Sequence, residues 1–278
     1  MAVAGLALLF PGRPAAWGEL LALHLAAIAL GWPAASVASV ANGLSARARR
    51  IVRSMADWLP LLLIPLLYTE LAVLNVAVHT GAYFDATVLH WEQALFGGQP
   101  SRAWAAAAPF LWLSEPLHTA YLSYYLIIFG PPLVLFSAGR TEEFRTNVFV
   151  LLLAFFAHYV FFIYFPVQGP RYLFPPPGGE LASGPMYALA HRVLEAGSSR
   201  GAAFPSSHVG VSVAQTLVAI RFLPRLAPVV ALLTIGLALG AIYGGFHYAT
   251  DVGAGALLGV AAFVAAPRVA ALLRSDRT

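Results

Sequence analysis

Residues 146–165 read TNVFVLLLAFFAHYVFFIYF, an apolar run without Asp, Glu or Arg and with one histidine, His158. Arg145 precedes the run and Pro166 follows it. An α-helix of this length rises about 30 Å, which matches the hydrocarbon thickness of a bilayer. The stretch therefore predicts a helix that crosses a membrane.

Six further apolar stretches of similar length predict additional spans, at 18–41, 58–79, 116–137, 206–222, 226–245 and 248–266. The composition agrees, because 60% of the 278 residues are hydrophobic and only 10% are charged. A soluble domain carries about 25% charged residues. We predict an all-α, polytopic transmembrane helix bundle of about seven spans, forming a single integral membrane domain over residues 1–278.

The basic residues predict the orientation of this bundle. All 16 are arginines. Counting seven spans places eleven of them on one face, in alternate loops, at positions 47, 49, 50, 53, 140, 145, 221, 225, 268, 274 and 277. Five fall on the other face, at positions 13, 102, 171, 192 and 200. Cytoplasmic loops are enriched in Lys and Arg, so the arginine-rich face is predicted to be cytoplasmic.

The composition also excludes several kinds of chemistry. Without cysteine there is no disulfide, thiol nucleophile or zinc–thiolate site, and without lysine there is no Schiff base. The net charge of +4 is modest, and we predict no nucleic-acid partner. The acidic residues of the outer face stand singly along the chain, so we predict no catalytic metal and no cofactor; they are Asp85, Glu92, Glu115, Glu180 and Glu195.

Two long connections fall on the predicted outer face. Residues 80–115 mix tryptophan and phenylalanine with polar residues, which is typical of a segment lying at the membrane interface. The first spans and most of this interfacial segment make up an N-terminal part, 1–110. Residues 166–205 are rich in Gly, Pro and Ser and are predicted to form a loop.

Three short segments on that face combine residues suited to phosphate chemistry. They are Gln168-Gly169-Pro170-Arg171-Tyr172, Phe204-Pro205-Ser206-Ser207-His208, and residues 243–251, which hold Gly244, Gly245, His247 and Asp251. The second segment begins a predicted helix, whose free N–H groups and dipole attract anions. Asp251 follows His247 by one helical turn and is suited to fixing its tautomer. Arg171 is suited to gripping phosphate oxygens.

These segments resemble the type 2 phosphatidic acid phosphatase superfamily, which includes lipid phosphate phosphatases and a divergent branch with the inositol phosphorylceramide synthases. Its pattern is Lys-x6-Arg-Pro, Pro-Ser-Gly-His and Ser-Arg-x5-His-x3-Asp. Residues 115–266 carry the similarity, through Arg171, Pro205, Ser206, His208, His247 and Asp251. The chain departs from the pattern at Tyr164 (for Lys), Tyr172 (for Pro), Ser207 (for Gly) and Gly240-Ala241 (for Ser-Arg).

The resemblance implies a six-helix phosphatase core and a covalent mechanism. His247 is then the nucleophile, Asp251 orients it, and His208 protonates the leaving oxygen. Arg171, Ser206 and Ser207 are expected to hold the phosphate. Arg200 is a candidate replacement for a missing family cation. The implied localisation is a bacterial inner membrane, with the site facing the periplasm or exterior.

The implied function is hydrolysis of a lipid phosphomonoester or pyrophosphate. Transfer of a phospho-head group to a lipid alcohol is the main alternative, and a hydrophobic acceptor pocket would favour it. A transporter or a non-catalytic membrane protein is a weaker alternative. Four residues at helical spacing on the third span fit either the entry to the site or a polar seam between helices; they are Glu115, His118, Tyr121 and Tyr125. The sequence leaves the oligomeric state open.

Overall fold

A computed structural model describes residues 45–275 of the protein. Its α-helices are α1 (Ala46–Leu62), α2 (Ile64–Thr69), α3 (Leu71–His79), α4 (Asp85–Phe96), α5 (Pro100–Ala107), α6 (Leu111–Leu122), α7 (Tyr124–Ser137), α8 (Thr141–Tyr164), α9 (Pro170–Leu173), α10 (Pro185–Gly197), α11 (Ser207–Phe222), α12 (Ala227–Tyr243) and α13 (Ala249–Ser275). Between residues 45 and 275 there is no β-strand, only an isolated parallel bridge between Val167 and Ala202. The all-α membrane bundle is confirmed, whereas the predicted span 18–41 lies outside the described residues.

Three helical stretches in this range are long and apolar enough to cross a membrane: Ala46–Thr69, Thr141–Tyr164 and Ala249–Leu273. The pair α6 and α7 is a fourth when it is taken as one bent span, and α12 is apolar but shorter. Four of the predicted spans correspond closely to helices, because α8, α11, α12 and α13 begin within five residues of the predicted starts. The count of seven spans stays a prediction.

The second predicted span, 58–79, differs from the structure. Helix begins already at Ala46 and runs through α1, α2 and α3 with short breaks at Leu63 and Glu70. Ser45 caps the start of α1, accepting a bond from the Ala48 N–H. The arginines predicted in a loop before this span, from Arg47 to Arg53, therefore lie on helix α1.

The third predicted span, 116–137, is bent by 42° between α6 and α7. The bend falls at Ser123, whose hydroxyl donates to the Ala120 carbonyl at 2.6 Å. A side chain that bonds the helix's own carbonyls is a known cause of bending. The bend places Tyr121 and Tyr124 on either side of the break, and both rings lie within 6 Å of the His208 ring.

Helix α11 lies at the centre of the bundle and packs against α7, α8, α12 and α13. It comes closest to α13 where glycines meet. A Cβ on Gly259 would overlap the backbone of Gly210, and a Cβ on Gly255 would overlap the backbone of Ser206. Small residues at such crossings let two membrane helices approach closely. The crossing fixes the start of α11 against the first turns of α13.

The two connections on the predicted outer face are more helical than expected. Residues 80–115 form α4 and α5 before α6 begins. The prediction of a loop over 166–205 is wrong for residues 170–173, which form α9, and for residues 185–197, which form α10. The Glu115 carboxylate accepts the backbone N–H groups of Met186 and Tyr187 at 3.1–3.2 Å. This cap stabilises the start of α10 from a distant part of the chain.

Candidate active site

The three motif segments meet at one end of the bundle. Val167 donates its N–H to the Gly201 carbonyl at 3.1 Å, and Ala203 donates to the Val167 carbonyl at 2.9 Å. These bonds join the first segment to the second. Ser206 in turn donates its N–H to the Asp251 carbonyl at 2.9 Å, which joins the second segment to the third. The structure thus brings together the three segments that were predicted to share one face.

Gly169 lies where the three segments are closest. Its φ of +91° lies in the left-handed region that favours glycine. A Cβ there would stand 3.0 Å from Ala203 Cβ and 3.4 Å from the Phe246 carbonyl. Both the backbone conformation and the available space therefore require glycine directly before Pro170 and Arg171.

Ser206 caps helix α11 as predicted, with its hydroxyl oxygen accepting the Val209 N–H at 3.4 Å. Ser206 and Ser207 are both buried. His208 stands in the first turn of the same helix, and its ring centroid lies 5.8 Å from that of His247. The structure thus brings the two candidate catalytic imidazoles together.

His247 and Asp251 form the second part of this arrangement. Nδ1 of His247 lies 3.4 Å from Oδ2 of Asp251, and both side chains are buried. The same Oδ2 atom accepts the Tyr248 N–H at 2.9 Å, which fixes the carboxylate at the start of α13. The geometry directs Nδ1 toward Asp251 and leaves Nε2 as the other ring nitrogen available for chemistry.

Burial lowers the pKa of His247 to about 4. The Ala203 carbonyl opposes this shift, and the positive charge of Arg171 adds to it. The imidazole is therefore neutral at pH 7. A neutral imidazole has the free electron pair that a nucleophile needs.

His208 faces a cavity of about 300 Å³. Its ring lies against two tyrosines, at centroid distances of 5.4 Å from Tyr121 and 4.3 Å from Tyr124. The rest of the lining is mainly apolar and aromatic, and its members include Leu61, Ile64, Tyr68, Tyr125, Ile128, Phe129, Phe155 and Tyr159. The Tyr121 hydroxyl is buried without a hydrogen-bond partner in the described part of the chain. Tyr121 and Tyr125 thus line the cavity, one of the two roles open to them from sequence.

Glu115 and His118, on the same predicted stripe, have other neighbours. Glu115 caps α10, and the His118 ring packs against the Tyr187 ring at a centroid distance of 5.1 Å. These contacts form a seam between α6 and α10. The stripe therefore divides into a cavity wall and a helix–helix contact.

Arg171 and Arg200 lie on the same side of the site. Arg171 donates to Ser198 Oγ at 2.9 Å, and Ser198 also lines the cavity. Both guanidinium groups lie over the Tyr172 ring, at 5.0 Å for Arg171 and 5.6 Å for Arg200. With its amide oriented to satisfy both groups, Gln168 accepts two bonds from Arg200. Neither arginine forms an ion pair within the described residues.

The departure from the family pattern at Gly240-Ala241 has a packing explanation. A Cβ on Gly240 would overlap the Leu117 carbonyl, because α12 lies directly against α6. Ala241 is fully buried in the same contact region. The larger Ser-Arg pair of the family pattern does not fit this helix contact, so the cation that it would supply is absent here.

The prediction that the site uses no metal or cofactor is not tested by the structure. Among residues 45–275, no group of three or more His, Asp or Glu side chains has an arrangement suited to a metal ion. The two buried carboxylates of α4, Asp85 and Glu92, bond backbone N–H groups instead. Metal independence stays a prediction.

Several residues of the site were not identified from the sequence. Tyr124 packs on His208, and Tyr248 donates its hydroxyl to Asp85. Asp85 bonds the loop before Arg171. Nothing local to Tyr124, Tyr248 or Asp85 marks them, since their partners are distant in sequence.

Comparison with known families agrees with the motif geometry. The family model of the PAP2 superfamily matches residues 86–265, which is more than half of the chain and includes all three motif segments. The match begins before the region 115–266 that carries the sequence resemblance, and so takes in most of α4. Neither a curated protein nor a solved structure matches the chain.

Proposed function

We propose that this chain, which belongs to the PAP2 superfamily, hydrolyses a phosphomonoester or pyrophosphate of a membrane lipid through a phosphohistidine intermediate. Membership supports phosphatase-like chemistry in general. The observation that carries the proposal is the meeting of two imidazoles, His208 and His247, with the buried Asp251 carboxylate beside His247. This is the pair of groups that nucleophilic attack and leaving-group protonation require.

The proposed reaction has two steps. Nε2 of His247 attacks phosphorus, forming an N–P bond while the P–O bond to the leaving group breaks. Protonated His208 gives its proton to the leaving oxygen. The oxygen of a water molecule then attacks phosphorus while the N–P bond to His247 breaks, and the water gives a proton to His208. Phosphate is released and His247 is restored.

The surroundings support these assignments. Asp251 faces Nδ1 of His247, so the opposite nitrogen is the one that attacks. His208 faces the cavity, so a lipid seated there would present its phosphate-bearing oxygen to His208. Arg171 lies close enough to His247 to lower its pKa, which suits a cation that binds the phosphoryl oxygens. Ser206, Ser207 and the N-terminus of α11 are proposed to complete the phosphate site, with Arg200 serving at its rim.

The proposal includes metal independence, since positioned cations and amides are expected to provide the charge stabilisation. It also places the site at the outer face of a bacterial inner membrane, because the motif segments are opposite the arginine-rich face. The partners are the bilayer and the lipid phosphate.

The test is release of inorganic phosphate from a panel of lipid phosphates by the purified protein in detergent, with and without EDTA. We expect release from at least one lipid monophosphate or pyrophosphate, unchanged by EDTA. A chelator-sensitive activity restored by magnesium or zinc would contradict metal independence. An absence of phosphate release from the whole panel would contradict hydrolysis.

A second candidate function is transfer of a phospho-head group to a lipid alcohol, and the cavity beside His208 favours it. The cavity is lined mainly by apolar and aromatic side chains, among them Tyr121, whose buried hydroxyl has no hydrogen-bond partner within residues 45–275. An alcohol with an apolar chain would satisfy both features. His208 would then take the proton of the alcohol instead of that of water.

Adding diacylglycerol or ceramide to the same assay separates the two functions. A transferase forms a new phospholipid and releases little phosphate, whereas a phosphatase releases phosphate whether or not the alcohol is present. Ile128→Trp, which fills the cavity, should reduce transfer more than formation of the phosphohistidine. If the products are the same with and without the added lipid alcohol, transfer is rejected.

A further inference from the structure

Helix α4 has two buried carboxylates that the proposed reaction does not use. Asp85 is 6% exposed and Glu92 is 1% exposed. They stand about two turns apart, on the same face of the helix. Burying a carboxylate is costly, and hydrogen bonds offset part of that cost. The hydrogen bonds of Asp85 and Glu92 therefore show which parts of the chain helix α4 holds in place.

Asp85 binds the segment that precedes Arg171. Its Oδ2 accepts the Gln168 N–H at 2.9 Å, and its Oδ1 accepts the Gly169 N–H at 2.9 Å. A carboxylate that accepts two successive amides fixes the direction of both peptide planes. The next residues are Pro170 and Arg171, at the start of α9. The position of the Arg171 backbone thus follows from the Asp85 carboxylate.

Asp85 also binds the segment that holds His247. The Tyr248 hydroxyl donates to Asp85 Oδ1 at 3.1 Å, and Tyr248 is fully buried. Tyr248 is the residue directly after His247, and its N–H donates to Asp251. One carboxylate thus connects the segment of the phosphate-binding cation with the segment of the proposed nucleophile.

Glu92 makes a second contact to the segment that holds His247. Its Oε1 accepts the Thr250 N–H at 2.8 Å, in the first turn of α13. That turn carries Asp251, and the N–H groups of a first helical turn have no carbonyl partner within the helix. The two carboxylates of α4 therefore bond Tyr248 and Thr250, the first and third residues after His247.

We propose that Asp85 is a positioning residue that holds Arg171 and His247 at their working separation, with Glu92 holding the first turn of the Asp251 helix. This inference rests on the proposed function, since it assigns Asp85 to the same reaction. Asp85 acts through Gln168, Gly169 and Tyr248 and does not contact the phosphate.

Two variants separate the contacts of Asp85. Asp85→Asn removes one acceptor and places an amide N–H against a backbone N–H. Tyr248→Phe keeps the buried ring and removes only the bond on the His247 side. The readouts are kcat on the lipid phosphate and the Kd of inorganic phosphate by calorimetry, which does not require turnover.

We expect Asp85→Asn to lower kcat by roughly tenfold to a hundredfold and to weaken phosphate binding by about tenfold, because small displacements of reacting groups carry losses of this size. Tyr248→Phe should lower kcat by about tenfold and leave the phosphate Kd within about twofold of wild type. Only Asp85→Asn is expected to change the phosphate Kd, because Gln168 and Gly169 adjoin the cation Arg171. Tyr248 adjoins the nucleophile His247, so Tyr248→Phe is expected to change kcat alone.

Asp57→Asn is the matched control. It weakens a carboxylate that pairs with Arg145 at 3.0 Å, away from the motif segments. It should lower the melting temperature and leave both kcat and the phosphate Kd unchanged. A purely structural role for Asp85 would give the same pattern as this control.

Each outcome of these experiments supports or overturns the positioning role of Asp85. A folded Asp85→Asn protein with wild-type kcat and phosphate Kd overturns the positioning role. If Asp85→Asn does not fold, Tyr248→Phe decides alone, and a wild-type kcat in that variant overturns the proposal. A wild-type protein that neither turns over nor binds phosphate overturns the proposed function itself, which distinguishes the two failures.

Discussion

Two kinds of basic residue meet at the site, and their surroundings suit different tasks. Arg171 and Arg200 lie against the Tyr172 ring and form no ion pair within the described residues, so both cations are free to attract an anion. His247 is buried and neutral. An anionic phosphate drawn to the arginines would thus meet an uncharged imidazole.

The His247→Ala variant tests the nucleophile. We expect turnover to fall by roughly a hundredfold or more, because nucleophilic and acid–base residues contribute at least this much. The melting temperature should stay close to that of wild type. His90→Ala is the matched control, since His90 is exposed on α4, and it should leave turnover unchanged. Trapping the phosphorylated intermediate on a residue other than His247 would refute the assignment.

The protonation of His247 gives a second test of a single residue. Its pKa of about 4 lies below the ordinary value of 6.5, so the unfolded chain binds a proton more readily between these two pH values. Native stability from this group is therefore fully present above pH 6.5 and decreases as the pH falls toward 4. Histidine-labelled protein should show one ring NMR signal, absent in His247→Gln, that titrates near pH 4. A midpoint near 6.5 for that signal would contradict burial as the controlling effect.

Among the helices, the contact between α11 and α13 positions the site most directly. It holds Ser206 and His208 against the turn that carries Asp251, and it depends on glycine at the crossing. Any side chain at the crossing would push the two motif segments apart.

Two glycines of α13 provide a matched pair. Gly259→Ala places a methyl group against the Gly210 backbone and should lower stability by about 1–3 kcal/mol, the usual range for overpacking. A Cβ at Gly253 meets nothing within 4 Å, so Gly253→Ala should raise stability by about 0.5–1 kcal/mol through helix propensity. Thermal unfolding in detergent measures both. Equal effects of the two substitutions would show that α11 and α13 are not in close contact.

The helices that were predicted well from the sequence have signals in neighbouring residues. Ser206 caps α11 directly before an apolar run, so the predicted start at 206 and the observed start at Ser207 nearly coincide. Helix α10 was missed because its N-terminal cap is the carboxylate of Glu115, a long-range contact. The same distinction applies to the site. The motif residues were found because they lie within short patterns, while Asp85 bonds residues more than eighty positions away.

The orientation of the bundle in the membrane concerns the whole molecule. The structure brings the segments of Arg171, His208 and His247 to one end. The loop between α7 and α8, which holds Arg140, lies at the opposite ends of the same helices. The eleven arginines predicted on that opposite face favour a cytoplasmic position for it. The motif end is then expected to face the periplasm or exterior.

Cysteine labelling tests this orientation, because the chain has no native cysteine to interfere. Ser183 is exposed near the motif end, and Ala138 is exposed beside Arg140. With Ser183→Cys, a membrane-impermeant maleimide should react in intact spheroplasts. With Ala138→Cys, it should react only after permeabilisation. Both positions precede a helix of the same bundle, so each serves as the accessibility control for the other. The reverse pattern would place the site in the cytoplasm, where its lipid substrate would need no transfer to the outer leaflet.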